Sequence, residues 1–281
     1  MVGPDDYRYG QAAADLLVVA AVPGVLAAVH WFVPSAVQTA YVLYPESYTP
    51  LTLFTAAFLH ASWLHLAGNV VGYTVAVGAA YLLCLVLAER RWFLLTTVVL
   101  VLSLPILVNR TALLVLGGYF GEWSMSIRGF SGVVAGFGGF TFAALLAYVG
   151  RRTDRWTAFF AGLAVTLLLL LEILGVYADD LPPVSTGLVA LGVVLCGLEI
   201  GRRGLRGGTP ASRADWRGLG STAGVFLWTL AVLFVFVRML FPAEVVADGL
   251  YVNVYAHAIG FLYGFVVAGW GYRYWRTTDA R

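Results

Sequence analysis

The sequence predicts an all-α protein that crosses a membrane about eight times as a polytopic helical bundle, and three observations carry that expectation. Of its 281 residues, 60% are apolar and 11% are charged, against roughly 25% charged in a soluble domain. Such a chain has too little polar surface to cover a fold in water. Several apolar runs also reach the roughly 20 residues that a helix needs to cross a hydrocarbon core of about 30 Å. Finally, the 17 basic residues are all arginine and fall unevenly between those runs.

Reading the runs between charged or Pro/Gly-rich breaks gives candidate spans near 13–33, 64–88, 92–108, 130–150, 156–177, 184–201, 221–241 and 251–274. Asp5, Asp6 and Asp15 precede or enter the first run. A cleaved signal peptide usually opens on basic residues, so this run reads as a retained helix. The segment 34–63 has no arginine but carries Tyr41, Tyr44, Tyr48, Phe54, Phe58 and Trp63; aromatic rings favour the headgroup boundary, which places it on or in the outer interface. After the third run, Asn109-Arg110-Thr111 fits a glycosylation acceptor in an external loop. The stretch 201–220 is polar and glycine-rich and reads as a flexible cytoplasmic loop. No solenoid repeat interrupts the pattern, so residues 1–281 read as one membrane-embedded domain.

Cytoplasmic loops keep an excess of positive charge. With the N-terminus inside, fourteen of the 17 arginines fall on the cytoplasmic side. Arg110 and Arg128 remain outside, and Arg238 lies near the outer end of a span, where it can snorkel. Eight spans with both termini cytoplasmic, in the cell membrane, follow from that count. The formal net charge is only +2, and no soluble basic face exists to hold phosphates, so nucleic acid is not an expected partner. Cys84 and Cys196 lie inside apolar runs and read as small packing groups; no cofactor or metal is expected.

Polar groups within apolar spans are costly and demand a reason. The first cluster is His60-Ala-Ser-Trp-Leu-His65-Leu-Ala-Gly-Asn69, entering the second span from outside. In a helix, His65 and Asn69 are one turn apart and share a face. The second is Gly129-Phe130-Ser131-Gly132 at the outer start of the fourth span, continued by Ala135, Gly136, Gly138 and Gly139. The third is Ala256-His257-Ala258-Ile259-Gly260, with Gly264 one turn further on, in the outer half of the last span. Small residues on both helices permit close backbone approach, which would bring Ser131 and His257 together.

A serine hydroxyl becomes a nucleophile when a base within hydrogen-bond reach takes its proton, and a neutral imidazole can do so without a carboxylate. Attack on a peptide carbonyl builds a negative oxygen that needs preorganised donors. His65, Asn69 and the Ser131 backbone N–H are candidates.

These three clusters, His-x4-His-x3-Asn, Gly-x-Ser-Gly and Ala-His-x2-Gly-x3-Gly, occur in the order that resembles the rhomboid intramembrane serine proteases. The resemblance spans roughly residues 50 to 265, with its specificity in about a dozen positions. It implies a rhomboid-like six-helix core, here with about two additional helices. It also implies a serine–histidine dyad below the membrane surface, reached by water from the outer face, that cleaves transmembrane protein substrates near the end of their helix. By motif position Ser131 would be the nucleophile, His257 the general base, and His65 and Asn69 oxyanion donors; Gly129, Gly132, Gly260 and Gly264 would support them. The family core has one helix between the serine and histidine helices, whereas three are counted here. Both counts are odd, so the two helices still run the same way. The chain departs from the family at Ala135, where a tyrosine often packs on the imidazole, and at Leu51 and Thr52, where a Trp-Arg pair anchors the first external loop.

Plainer readings stand beside these. His60 lies off the His65 face and suits a loop bond as well as catalysis. Asn253 can orient the His257 imidazole or simply begin a helix. His30 has an interfacial position, and Glu172 and Glu199 lie close to span ends. At the level of function, the alternative to a protease is an inactive rhomboid-like protein that binds or moves membrane clients. A third reading takes His60, His65 and His257 as metal ligands.

Overall fold

The computed structural model describes residues 9–120, 126–178, 181–206, 213–244, 246–247, 250–251 and 253–279. These form ten α-helices, a 3₁₀ turn and one two-residue hairpin: α1 (Tyr9–Phe32), α2 (Ser35–Ala40), α3 (Pro50–Thr55), the turn Ala56–Phe58, α4 (Trp63–Val86), α5 (Arg90–Phe120), α6 (Ser131–Arg152), α7 (Arg155–Tyr177), α8 (Pro183–Arg206), α9 (Arg213–Leu240), β1 (Val246–Ala247), β2 (Leu250–Tyr251) and α10 (Val254–Asp279). The hairpin pairs antiparallel, Val246 with Tyr251 and Ala247 with Leu250. Eight of the described helices are long and apolar enough to cross a membrane, so the chain is an all-α, multi-pass membrane protein. Leucines and valines along these helices stay exposed, among them Leu17, Leu82, Leu188 and Leu262. A hydrocarbon solvent accounts for that exposure.

Two boundaries differ from the sequence reading, for physical reasons. The third span does not stop at 108: α5 runs through Pro105 to Phe120. Proline is tolerated inside a membrane helix, and Asn109, Arg110 and Thr111 all find partners there. The expected loop at 201–220 is also largely helical, since α8 persists to Arg206 and α9 begins at Arg213; residues 207–212 lie outside the described residues.

The chain divides into two compact units, Met1–Phe140 with Val245–Arg281, and Thr141–Glu244. The boundary falls inside α6, where no composition change marks it. In the first unit, buried aromatics knit the helices. Trp92 of α5 donates its indole N–H to the Ala268 carbonyl of α10 at 3.0 Å, and its ring packs against Phe140 at 5.2 Å. α1 is pinned by its one buried acid: Asp15, 1% exposed, accepts from Arg90 Nη2 at 2.6 Å and Nε at 2.9 Å. A fork-to-fork pair of this kind is what makes a carboxylate tolerable among apolar helices. The second unit packs α7 on α8 and α9. Gly162 receives Leu146, and Gly192 receives Leu167. Asp154 caps α7 by accepting from the Trp156 and Thr157 amides at 2.8 and 3.2 Å. The Thr157 hydroxyl and these amides hold its carboxyl below the usual carboxylate range, with Arg203 adding to them.

Candidate active site

All three polar clusters lie in the first unit. α4 starts at a cap, Ser62, whose hydroxyl accepts from the His65 amide at 3.2 Å. With the helix begun at Trp63, His65 and Asn69 fall on one face. Asn69 is buried, and its Nδ2 donates to the His65 carbonyl at 3.1 Å. Both face the same target: a Cβ added to Gly129 would lie 2.7 Å from His65 Cε1, 2.8 Å from His65 Nε2 and 3.8 Å from Asn69 Nδ2.

Gly129 has φ +124°, in the region that disfavours a side chain. Its N–H donates to the Ala56 carbonyl at 3.0 Å. Phe130 then anchors the turn. It is fully buried, with its ring 5.5 Å from Phe58 and 6.1 Å from Tyr73. Ser131, half-buried, is the first residue of α6. The first amides of a helix have no intrahelical acceptor and lie at the positive end of its dipole, which suits a developing oxyanion.

α6 and α10 meet backbone to backbone. A Cβ on Gly260 would overlap the Gly132 carbonyl, one on Gly264 would overlap the Gly136 carbonyl, and one on Gly139 would overlap the Phe261 carbonyl. The Gly132–Gly260 and Gly136–Gly264 contacts advance together along both helices, so the helices run the same way. In the first layer of this crossing, the Gly132 position touches the Ala256 carbonyl at 3.4 Å. Ser131 precedes Gly132 and His257 follows Ala256, so the crossing sets Ser131 and His257 in one layer. His257 is buried, 4% exposed. Its amide reaches the Asn253 carbonyl at 3.4 Å.

Asn253 acts on the helix rather than on the ring. Its Oδ1 accepts from the Ala256 amide at 3.0 Å, capping α10. His60 is buried, and neither ring nitrogen completes a hydrogen bond among the described residues. Its ring meets that of His65 edge-on at 5.1 Å. Burial first, then the neighbouring His65 and His30, hold His60 down to about 3, against a weak opposing pull from the Phe58 backbone; it stays uncharged beside His65. Among the described residues no three His, Cys, Asp or Glu side chains converge as metal ligands, so His60, His65 and His257 do not form a ligand set.

Ala135 is fully buried, and its Cβ lies 3.3 Å from a Cβ built on Gly260. Ala135 thus lies within the tight crossing of α6 and α10. Thr52, one of the two departures from the family's Trp-Arg pair, completes a capping box with Thr49: the Thr49 amide donates to Thr52 Oγ1 at 2.8 Å and the Thr52 amide to Thr49 Oγ1 at 3.1 Å. Asn109 is 6% exposed and donates to the Leu53 carbonyl at 2.8 Å, so the expected acceptor for glycosylation is a buried structural donor. The sequence signal for this role was present, a polar triplet after an apolar run, but it reads equally as a loop. No family model, no curated protein and no solved structure matches this chain.

Proposed function

We propose that this chain is an intramembrane serine endopeptidase of rhomboid type, hydrolysing peptide bonds in or near transmembrane segments of membrane-protein substrates. The observation that carries the reading is the glycine crossing of α6 and α10, which sets Ser131 and His257 in one layer beside the Gly129 turn faced by His65 and Asn69. His257 takes the Ser131 Oγ proton as Oγ bonds to the substrate carbonyl carbon. The carbonyl oxygen becomes an oxyanion, stabilised by the α6 amides with His65 and Asn69. Collapse breaks the C–N bond, His257 returns the proton to the leaving amine, and water then releases the acyl group by the same steps in reverse roles.

The arginine distribution supports a cell-membrane topology with both termini cytoplasmic and the site opening outward. The second reading, a client-binding protein without protease activity, draws on Ala135, Leu51 and Thr52, which stand where the family's tyrosine and Trp-Arg pair would be. The two part on one experiment. Wild-type protein in liposomes is expected to cleave a transmembrane reporter, and Ser131→Ala to lose at least about 10³-fold of that rate, the scale of removing a nucleophile. Cleavage that survives Ser131→Ala would refute the mechanism.

A further inference from the structure

The residues with the most consequence outside the reacting groups are Asn109, Arg110 and Thr111, on the outer part of α5. Three consecutive side chains reach three different elements. Asn109 Nδ2 donates to the Leu53 carbonyl in α3 at 2.8 Å, a buried bond across 56 residues of sequence. Arg110 donates to the Tyr48 hydroxyl, and its guanidinium also lies 5.3 Å from the centre of that ring. The Thr111 hydroxyl shares a hydrogen bond with the Tyr263 hydroxyl of α10 at 2.9 Å.

Each of these contacts leads to the candidate site by a short path. Leu53 belongs to a small apolar core with Leu43, Ala56, Leu113 and Ile127. Leu43 and Ile127 exchange backbone bonds, Leu43 N–H to Ile127 at 3.2 Å and Ile127 N–H to Leu43 at 2.8 Å. Ala56 accepts from Gly129. Residues 127–129, which lead into Ser131, are therefore bonded to the 43–56 segment at Leu43 and Ala56, and α5 holds that segment through Asn109 and Arg110. Thr111 holds α10, the helix that carries His257. Val108, one residue before the triplet, packs on Gly132, 2.7 Å from a Cβ built there.

The geometry points to Asn109, Arg110 and Thr111 as positioning residues that set the relative placement of the Ser131 turn and the His257 helix, acting through the outer segment 43–56 and Tyr263. This rests on the reading of Ser131 and His257 as the reacting pair. The hydrogen bonds described for the three go to Leu53, Tyr48 and Tyr263. Their task is to keep the nucleophile turn within the few tenths of an ångström that an in-line attack requires.

The test uses full-length protein in detergent, with Asn109→Leu as the main variant: it keeps the buried volume and removes the donor. Thr111→Val, nearly isosteric and without the hydroxyl, is the second. Two readouts are taken, the rate constant for phosphonylation of Ser131 at saturating fluorophosphonate, and hydrogen exchange of the Ile127 and Gly129 amides. Asn109→Leu is expected to speed exchange at Ile127 and Gly129 about tenfold and to slow phosphonylation by at least tenfold, with thermal unfolding within a few degrees of wild type. Thr111→Val is expected to slow phosphonylation while leaving exchange at Ile127 and Gly129 unchanged, because it releases α10 instead. Unchanged exchange in Asn109→Leu would overturn the bracket. Faster exchange with unchanged phosphonylation would overturn its positioning role. If wild-type Ser131 does not react at all, the protease reading fails, and the exchange readout alone still decides whether Asn109 holds residues 127–129. Should Asn109→Leu fail to fold, Thr111→Val decides the α10 arm by its phosphonylation rate.

Discussion

Replacing Gly264 with leucine is expected to abolish activity, cutting the rate of Ser131 modification by at least about 10²-fold. The added side chain would meet the Gly136 backbone itself, whose carbonyl, carbon and Cα all lie within reach of a Cβ. Backbone cannot rotate out of the way as a side chain can, so the two helices must part by roughly 1 Å or more, at an overpacking cost of about 1–3 kcal/mol. A misplacement of that order between nucleophile and base costs about 10²-fold in rate even where the fold survives. Gly260→Leu acts on the preceding layer, against Gly132, and is expected to do the same. Gly269 in α10 and Gly68 in α4 provide the controls, since a Cβ at either meets nothing within 4 Å; alanine there should leave the rate within about twofold. The comparison is read as phosphonylation rate against thermal unfolding for all four variants. Equal rates in the Gly264 and Gly269 variants would mean that the crossing does not set the site.

Gly129→Ala is the second large effect, and it arises differently. An alanine at φ +124° is strained by about 1–2 kcal/mol whatever the surroundings, and its methyl would press on the His65 ring at 2.7 Å. The ring must turn away from the turn it faces, so the loss of one oxyanion donor, about 10²–10³-fold in rate, is expected to accompany the strain. His65→Ala removes that proposed donor directly. The two changes should therefore be strongly sub-additive: the double variant is expected to be at most about tenfold slower than His65→Ala alone. Multiplicative losses would show that Gly129 and His65 act independently.

Much of this arrangement could be read before any coordinates. The spans were legible because hydrocarbon selects apolar runs of helix length, and α4, α6 and α10 start within a few residues of where those runs begin. His65 and Asn69 share a face because the helix repeat says so, and both meet Gly129. The glycine stripe of α10 was legible as spacing, although only the structure shows that Gly260 and Gly264 each abut a carbonyl of α6. What escaped the sequence depends on partners distant in the chain. Asn109, Arg110 and Thr111 read as a loop because their bonds go to residues 53, 48 and 263, which no local pattern connects to them. Asn253 could have been an orienter or a cap, and only the bond from Ala256 decides that it caps. The division between the two units was invisible for a further reason: it passes between Phe140 and Thr141, in the middle of α6, the most buried span, where no charge, proline or break in the helix marks it.

The proposed activation of Ser131 by His257 is tested most directly by the site and rate of reaction with a fluorophosphonate, because this needs no knowledge of the substrate. Purified full-length protein is treated and the adduct located by mass spectrometry. A single adduct on Ser131 is expected, absent in Ser131→Ala and formed at least about 10²-fold more slowly in His257→Ala, the scale of losing a general base. An adduct at another residue, or a Ser131 rate unaffected by His257→Ala, would contradict the pairing.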